Sequence, residues 1–422
     1  MMRICCAWTF GLILITSTAS AQTAWPEYMR EFSPAPSESE VAAELPPSVS
    51  TLSPDTSLAP ELSRWSGTWN GWSCRDALCD VRIAIHRLTA TGAVVDYAAV
   101  SASQKVNETA EARFAGDELQ MRLSTGAKLW LRFRPDGDME MSLWRPDDQL
   151  LSLGVLSRRP MPYVRQVEWI KTPWVENGRE VRLELIIHRP GGPGPFPTVV
   201  MNHGSTGIGN RPEWFKRPWA NPQLSAFLVA RGWQVVYPQR RGRGQSDGLY
   251  DEGLEKDRSR YSCDRTLAEA GADHAMADLE VVMAHTMSRP DVDARYIVIG
   301  GVSRGGILAT AYAGTHPEQV KGVLNFVGGW VGTGCTDAAA VNGALFARGA
   351  PFPGTSLWIY GEGDPYYPLA HSRSNFEAFR AAGGQGRFIL LRPAKGLDGH
   401  SVYLQSSLWA EDIDTYLRDA RR

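Results

Sequence analysis

Apolar residues follow two rhythms along the chain. Between about residues 61 and 160 they alternate with polar ones in short runs: Val-Arg-Ile-Ala-Ile at 81–85, Ala-Val-Val-Asp-Tyr at 93–97 and Leu-Trp-Leu-Arg-Phe at 129–133. Turn formers such as Pro-Asp-Gly-Asp at 135–138 separate the runs. A period near two, broken by frequent turn signals, predicts short strands with one buried face, and hence a small sandwich or barrel. From about residue 165 the rhythm changes. Two strands are expected at 165–174 and 180–188, then a turn at 191–197 (Gly-Gly-Pro-Gly-Pro-Phe-Pro). Nearly continuous apolar runs follow at 197–201, 233–237, 296–300, 323–327, 356–360 and 387–391. Runs with no polar face suit strands buried on both sides, which predicts a parallel sheet between layers of helices. Those helices are expected at 222–231, 272–287, 304–315, 372–382 and 406–418.

The first 60 residues fit neither rhythm. Met-Met-Arg is followed by a mostly apolar run at 4–15 and by Ala-Ser-Ala at 19–21. A positive start, a short apolar stretch and small residues predict a secretory signal peptide cleaved near Ala21, since the run is too short to span a bilayer. Residues 22–60, rich in Pro, Ser, Glu and Ala, are expected to form a disordered linker, because they cannot bury enough apolar surface to offset their ordering entropy. The expected organisation is therefore a signal peptide (1–21), a linker (22–60), a small all-β domain (61–160) and an α/β domain (165–422).

Composition adds constraints. Of the 422 residues, 43% are hydrophobic and 21% charged, as in an ordinary globular protein, and the formal net charge is −2. Nothing in that balance points to a nucleic-acid partner. Four cysteines follow the expected cleavage site, and an even number in an exported chain suggests disulfides. Locality favours Cys74–Cys79 and Cys263–Cys335. Three tryptophans at 65, 69 and 72 open the β domain; they either form a sugar-stacking face or fill the barrel core.

The chemistry-bearing signal is Gly-Val-Ser-Arg-Gly at 301–305, placed directly after one expected strand and at the start of an expected helix. A G-x-S-x-G turn in that context lifts a serine hydroxyl clear of the backbone, and small neighbours are needed because the turn is crowded. Ser303 is thus the candidate nucleophile. An activated serine needs a base, and the base needs an orienting carboxylate. His400 and Asp364 lie on loops after later strands, where open α/β sheets place their sites. Glu362 and Asp398 are rival acids, and His316 and His371 rival bases. The oxyanion hole is expected from the N–H of Arg304 and from the loop Asn-His-Gly-Ser-Thr-Gly at 202–207, with Gly204 or Ser205 donating. His203 in that loop reads as a structural pin. Arg240 and Arg241 could clamp a substrate carboxylate or could pair with Asp247, Asp251 or Glu252. The segment 241–271 is a candidate lid. Trp330, Tyr366 and Tyr367 are candidate pocket walls or core aromatics.

These motifs resemble the α/β-hydrolase superfamily, and most closely its dienelactone hydrolase and prolyl-oligopeptidase-like branch. The residues carrying the likeness are Asn-His-Gly-Ser at 202–205, Tyr-Pro-Gln-Arg-Arg-Gly-Arg-Gly at 237–244, Gly-Val-Ser-Arg-Gly-Gly at 301–306, Gly-Glu-Gly-Asp at 361–364 and Gly-His at 399–400. The resemblance implies an eight-stranded, mostly parallel sheet with helices on both faces, and a Ser303–Asp364–His400 triad. Two departures are visible. Dienelactone hydrolases proper use a cysteine nucleophile, and the oligopeptidases usually carry a β-propeller where this chain has about 100 residues. Those residues are similar in pattern to small lipocalin-like barrels. The expected activity is cofactor-free hydrolysis of a small-molecule carboxylic ester or lactone. Alternatives are a peptidase or acylaminopeptidase, and an exported binding protein without catalysis.

Overall fold

Alternation in the first third of the chain closes a barrel. In the computed structural model the described residues are 43–72, 80–100, 105–134, 137–148, 150–158, 163–211, 214–216, 218–394 and 397–421. The expected signal peptide, the first half of the expected linker, and Cys74 and Cys79 lie outside them. After a short helix α1 (Pro60–Ser63), eight antiparallel strands follow: β1 (Gly67–Trp72), β2 (Asp80–His86), β3 (Gly92–Val100), β4 (Lys105–Ala115), β5 (Glu118–Arg122), β6 (Lys128–Phe133), β7 (Met139–Trp144) and β8 (Leu150–Ser157). β1 pairs with β8 as well as β2, so no strand edge is left open. Trp65 and Trp69 are buried in the interior with Ile83, Leu131 and Met141. Trp69 donates its indole N–H to the Trp65 carbonyl. These two rings therefore fill the core and form no exposed stacking face.

The start of the described part of the expected linker is anchored, while most of residues 46–60 is exposed. Ala43 and Leu45 are buried in one cluster with Ala84 and Val100 of the barrel and Leu183 of the second domain. The Ala43 amide donates to Asp80, and the Leu52 carbonyl accepts from Thr68. Two apolar residues in a polar stretch were enough to tie it down once a groove between two domains was available to bury them.

The second domain begins with β9 (Tyr163–Glu176) and β10 (Arg179–Pro190), a hairpin turned by Asn177 and Gly178 at φ 50° and 75°. Two consecutive positive φ values match the twist of the flanking strands. There follow β11 (Phe196–Asn202), α2 (Pro222–Val229), β12 (Gln234–Pro238), α3 (Arg265–Ser288), β13 (Val292–Val302), α4 (Arg304–Thr315), β14 (Gly322–Phe326), α5 (Ala338–Ala347), β15 (Ser356–Gly361), α6 (Leu369–Ala381), β16 (Gly386–Leu391), a 3-10 turn at Gly399–Leu404 and α7 (Ser406–Asp419). The eight strands lie in the order β16-β15-β14-β13-β11-β12-β10-β9, parallel from β16 to β12 and antiparallel at β10 and β9. Helices cover both faces: α2 packs with α7, while α3, α4, α5 and α6 form the other group.

The chain runs from β11 outward to β12, then crosses back so that β13 lies on the opposite side of β11. Such a switch point leaves a crevice at the C-terminal ends of the two strands. The loop 203–209 leaves β11 on one side of it, and Ser303 follows β13 on the other. The barrel is joined to this domain by polar contacts as well as apolar ones. Arg134 donates to Gln223 at the start of α2 and to Ser406 at the start of α7, and Gln223 donates to the Gly154 carbonyl.

Candidate active site

The turn carrying Ser303 is strained, and its neighbours are glycine for steric reasons. Ser303 has φ 56° and ψ −120°, a region that non-glycine residues rarely occupy, at a cost of about 1–3 kcal/mol. A Cβ on Gly301 would overlap the Gly305 backbone, and one on Gly305 would overlap the Asn202 carbonyl. The strain is held by hydrogen bonds on both sides of the residue. The Ser303 amide donates to Phe326, and its carbonyl accepts from Gly306 and Gly329.

Asp364 and His400 meet across the loops that follow β15 and β16. His400 Nδ1 lies 2.9 Å from Asp364 Oδ2. The other carboxylate oxygen accepts the amides of Tyr366 at 2.8 Å and Tyr367 at 3.0 Å. Three contacts thus fix a carboxyl group that is only 4% exposed. The rival acids are engaged elsewhere: Glu362 pairs with Arg392, and Asp398 caps the 3-10 turn by accepting the Ser401 amide. Of the rival bases, His316 stacks on Tyr312 at the far end of α4, and His371 contacts Asn342.

Gly204 faces the serine. A Cβ there would stand 3.0 Å from Ser303 Cβ and 3.7 Å from Ser303 Oγ, so only glycine lets this backbone come so close. Arg304, on the other side of Ser303, opens α4, where the first-turn N–H groups have no partner within the helix. Ser205 is the less crowded neighbour of Gly204, and its hydroxyl donates to the Gly207 carbonyl.

The loop behind Gly204 is held by buried charge. His203 is fully buried, with Nδ1 2.9 Å from the Gly204 carbonyl and Nε2 3.3 Å from the Arg240 amide. Burial, reinforced by Arg240 and Arg243, pushes its pKa well below the ordinary histidine value, so it is a neutral pin. Arg240 Nε lies 2.6 Å from Glu252 Oε1, and its Nη groups donate to the His203 carbonyl. Arg304 Nη1 donates to the Glu252 carbonyl at 2.5 Å, and its guanidinium sits over Tyr261, 3.7 Å from the ring centroid. Tyr250 donates to Glu252 Oε2 at 3.0 Å. Burial alone would raise the Glu252 pKa; Arg240, Arg304 and Arg243 outweigh it and leave the carboxyl below its usual range.

These contacts favour the pairing alternative for both arginines. Arg240 is not placed as a substrate clamp, because Glu252 already neutralises it in the interior. Arg241 is likewise committed: its Nε lies 2.5 Å from Asp278 Oδ1, and its guanidinium covers Trp174. Burial lifts the Asp278 carboxyl to about 6 despite that arginine. Asp278 lies on α3, 37 residues from Arg241, so no local spacing announced it. Trp330 is also interior. Its carbonyl accepts from Arg304 Nε and its ring lies under that guanidinium, so it packs behind the Ser303 turn.

Tyr366 and Tyr367 do flank the site. Their ring centroids lie 4.8 and 5.7 Å from that of His400. Tyr366 is 44% exposed, whereas Tyr367 is buried. The candidate lid is tied down. Its Tyr261 hydroxyl accepts the Thr206 amide, and Cys263 is disulfide-bonded to Cys335, as locality suggested. The helix α5 beyond Cys335 was not expected from the sequence. Its Asn342 side chain accepts from the Trp330 and Val331 amides.

Three solved structures are similar over large parts of the chain. A Klebsiella pneumoniae protein described as a candidate dienelactone hydrolase is 19% identical over 60% of this chain and 99% of its own, with a TM-score of 0.39. A post-proline cleaving enzyme from Rickettsia typhi is 13% identical over 80% of this chain and 52% of its own (TM-score 0.42), so the chain spans about half the length of that enzyme. An acylaminoacyl peptidase from Pyrococcus horikoshii is 12% identical over 82% and 69% (TM-score 0.43). Residues 197–328 match the family model of the α/β hydrolase fold, and with its switch point, its serine turn after β13 and its eight-stranded sheet, the second domain has the α/β hydrolase fold.

Proposed function

We propose that the protein is an exported serine hydrolase that cleaves a carboxylic ester or lactone through an acyl-enzyme on Ser303. The observation that carries this reading is the pairing of the buried Asp364 carboxylate with His400, on loops after β15 and β16 at the same end of the sheet as the strained Ser303 turn after β13. In the proposed reaction Ser303 Oγ attacks the carbonyl carbon and passes its proton to His400. Asp364, on Nδ1, fixes the imidazole tautomer so that Nε2 is the basic nitrogen, and it stabilises the imidazolium that forms. The tetrahedral oxyanion rests on the N–H of Arg304 and on an N–H of the Gly204–Ser205 turn. The protonated imidazole then donates to the leaving oxygen. Water, activated by His400, hydrolyses the acyl-enzyme in the second half. Export fits the signal-like N-terminus and the Cys263–Cys335 disulfide, which is favoured in an oxidising compartment. No helix among the described residues is long and apolar enough to cross a membrane.

The test is labelling with a fluorophosphonate probe, read by intact mass. Wild type should take up one label and Ser303→Ala none. A Ser303→Ala chain labelled at the wild-type rate would overturn the assignment.

A further inference from the structure

Two consecutive peptide carbonyls of the loop after β11 point into the interior, each at an arginine. The His203 carbonyl accepts from Arg240 Nη1 and Nη2, both at 3.1 Å. The Gly204 carbonyl accepts from Arg243 Nη1 at 3.1 Å and lies 2.9 Å from His203 Nδ1. His203 Nε2 faces the Arg240 amide, so the hydrogen of this neutral ring sits on Nδ1 and points at the Gly204 carbonyl. In a trans peptide the N–H points opposite to the C=O. The Ser205 N–H is therefore turned away from Arg243, to the side where Gly204 and Ser205 are partly exposed, and no group among the described residues accepts from it. The two arginines differ in their charge balance. Arg240 is paired with Glu252. Arg243 is only 4% exposed, yet no carboxylate among the described residues lies within ion-pair distance of it, and its Nε is buried without a partner. Glu252 feels its field but is shared by Arg240 and Arg304. Burying a cation without its own anion is unfavourable. An anion that forms on the far side of the Gly204–Ser205 peptide would supply the missing counter-charge.

We propose that Arg243 is a positioning residue for the oxyanion hole: it locks the Gly204–Ser205 peptide with the Ser205 N–H toward the crevice and sets a positive charge behind that peptide. This rests on the serine-hydrolase reading. Arg243 touches no substrate and transfers no proton. Its charge-assisted bond to the Gly204 carbonyl polarises the peptide, which makes the N–H at the other end a stronger donor. It also opposes rotation of the peptide, which would present the carbonyl oxygen to the oxyanion in place of the N–H. Both effects grow as negative charge develops on the substrate oxygen, so they act on the transition state more than on bound substrate. His203 holds the same carbonyl, so loss of Arg243 weakens the hold and does not abolish it.

The test uses Arg243→Met, Arg243→Lys and a chain with an α-hydroxy acid at 205, which replaces the Ser205 N–H by an ester oxygen. Each is assayed with p-nitrophenyl butyrate and with a trifluoromethyl ketone of the same acyl chain. The ketone adds to Ser303 Oγ, His400 keeps the proton, and a full negative charge is left in the hole. In Arg243→Met we expect kcat per fluorophosphonate-labelled site to fall roughly 10- to 100-fold with KM within a few-fold, and the ketone Ki to rise in step with the loss of kcat/KM. Arg243→Lys keeps the charge and a donor and should recover most of that loss. The 205 ester chain should lose roughly 100-fold in kcat. Adding Arg243→Met to it should cost little more, because both changes act through one peptide. A merely structural arginine would lower the labelled fraction and leave kcat per labelled site at the wild-type value, which would overturn the inference. So would a loss of kcat with the ketone Ki unchanged, or a lysine chain no better than the methionine one. An ester chain with wild-type kcat would overturn it even if Arg243→Met does not fold. A wild-type chain that neither labels nor turns over would sink the serine-hydrolase reading as well.

Discussion

His400 and Asp364 are joined by a 2.9 Å contact from Nδ1 to Oδ2, and the second oxygen of the same carboxylate is held by two backbone amides. The carboxylate therefore cannot turn to present a different face to the imidazole. Asp364→Asn keeps the shape but offers an N–H or a neutral oxygen where the imidazole N–H requires an anion. The imidazole then favours the wrong tautomer and loses stabilisation of its charged form. By analogy with other triads, kcat should fall about 10³- to 10⁴-fold. Steady-state kinetics beside unfolding curves check this, because the curves should change little by comparison. A kcat within a few-fold of wild type would remove Asp364 from its role.

Gly204→Ala tests the other side of the nucleophile. The added methyl would stand 3.0 Å from Ser303 Cβ and 3.1 Å from the Val302 carbonyl, both parts of a rigid turn. The loop must retreat by a few tenths of an ångström, which lengthens the hydrogen bonds expected at the oxyanion. We expect kcat to fall roughly 100-fold with KM changed much less, since the loss lies in the transition state. An equal rise in KM at constant kcat would show that Gly204 lines the binding site and gives no help to the charge.

The site was legible where chemistry is written locally. Gly301, Ser303 and Gly305 sit within five residues, and the turn they make depends on their own backbone and the strand before it. The α/β strands were legible because burial on both faces removes polar residues from them. What could not be read is what the chain brings together from afar. Glu252 was among the local partners open to Arg240 and Arg241, but Asp278 on α3, which absorbs Arg241, was not. Residues 43–60 look like linker because their two buried apolar side chains, Ala43 and Leu45, gain a partner surface only when both domains are present. Tyr367 reads as one of two neighbouring tyrosines. Which one is buried depends on Gly329, 38 residues earlier, against which the Tyr367 ring packs.

Glu252 should matter to stability more than its distance from the chemistry suggests. It is the carboxylate that Arg240 and Arg304 share in the interior, and it also accepts from Tyr250. Glu252→Gln leaves the buried guanidinium groups without that anion. Removing one partner of a buried pair typically costs about 3–5 kcal/mol, far above the ~0–1 kcal/mol of an exposed pair. Urea unfolding should show the difference, with Asp247→Asn, at the half-exposed Arg182 pair, as the comparison. Equal, small losses in the two variants would mean that solvent reaches the Glu252 cluster.

His203 makes a prediction about acid. Its folded-state pKa lies well below the ordinary histidine value of 6.5 because burial, Arg240 and Arg243 all oppose a charge there. The unfolded chain takes up a proton near 6.5 while the folded chain does not. The stability this group contributes is therefore present above about pH 6.5 and is lost as pH falls below it. For one such group the slope approaches about 1.4 kcal/mol per pH unit. His274, also lowered by burial first and Arg241 second, adds in the same direction. His203→Gln can still accept from the Arg240 amide, and it binds no proton in either state. Its unfolding free energy should start lower at pH 7.5 and decline less steeply toward pH 5, with the slope reduced and not abolished because His274 remains. Urea midpoints at several pH values, with m unchanged, measure both slopes. Parallel slopes in the two proteins would mean that His203 does take up a proton in the folded state, which the guanidinium groups around it oppose.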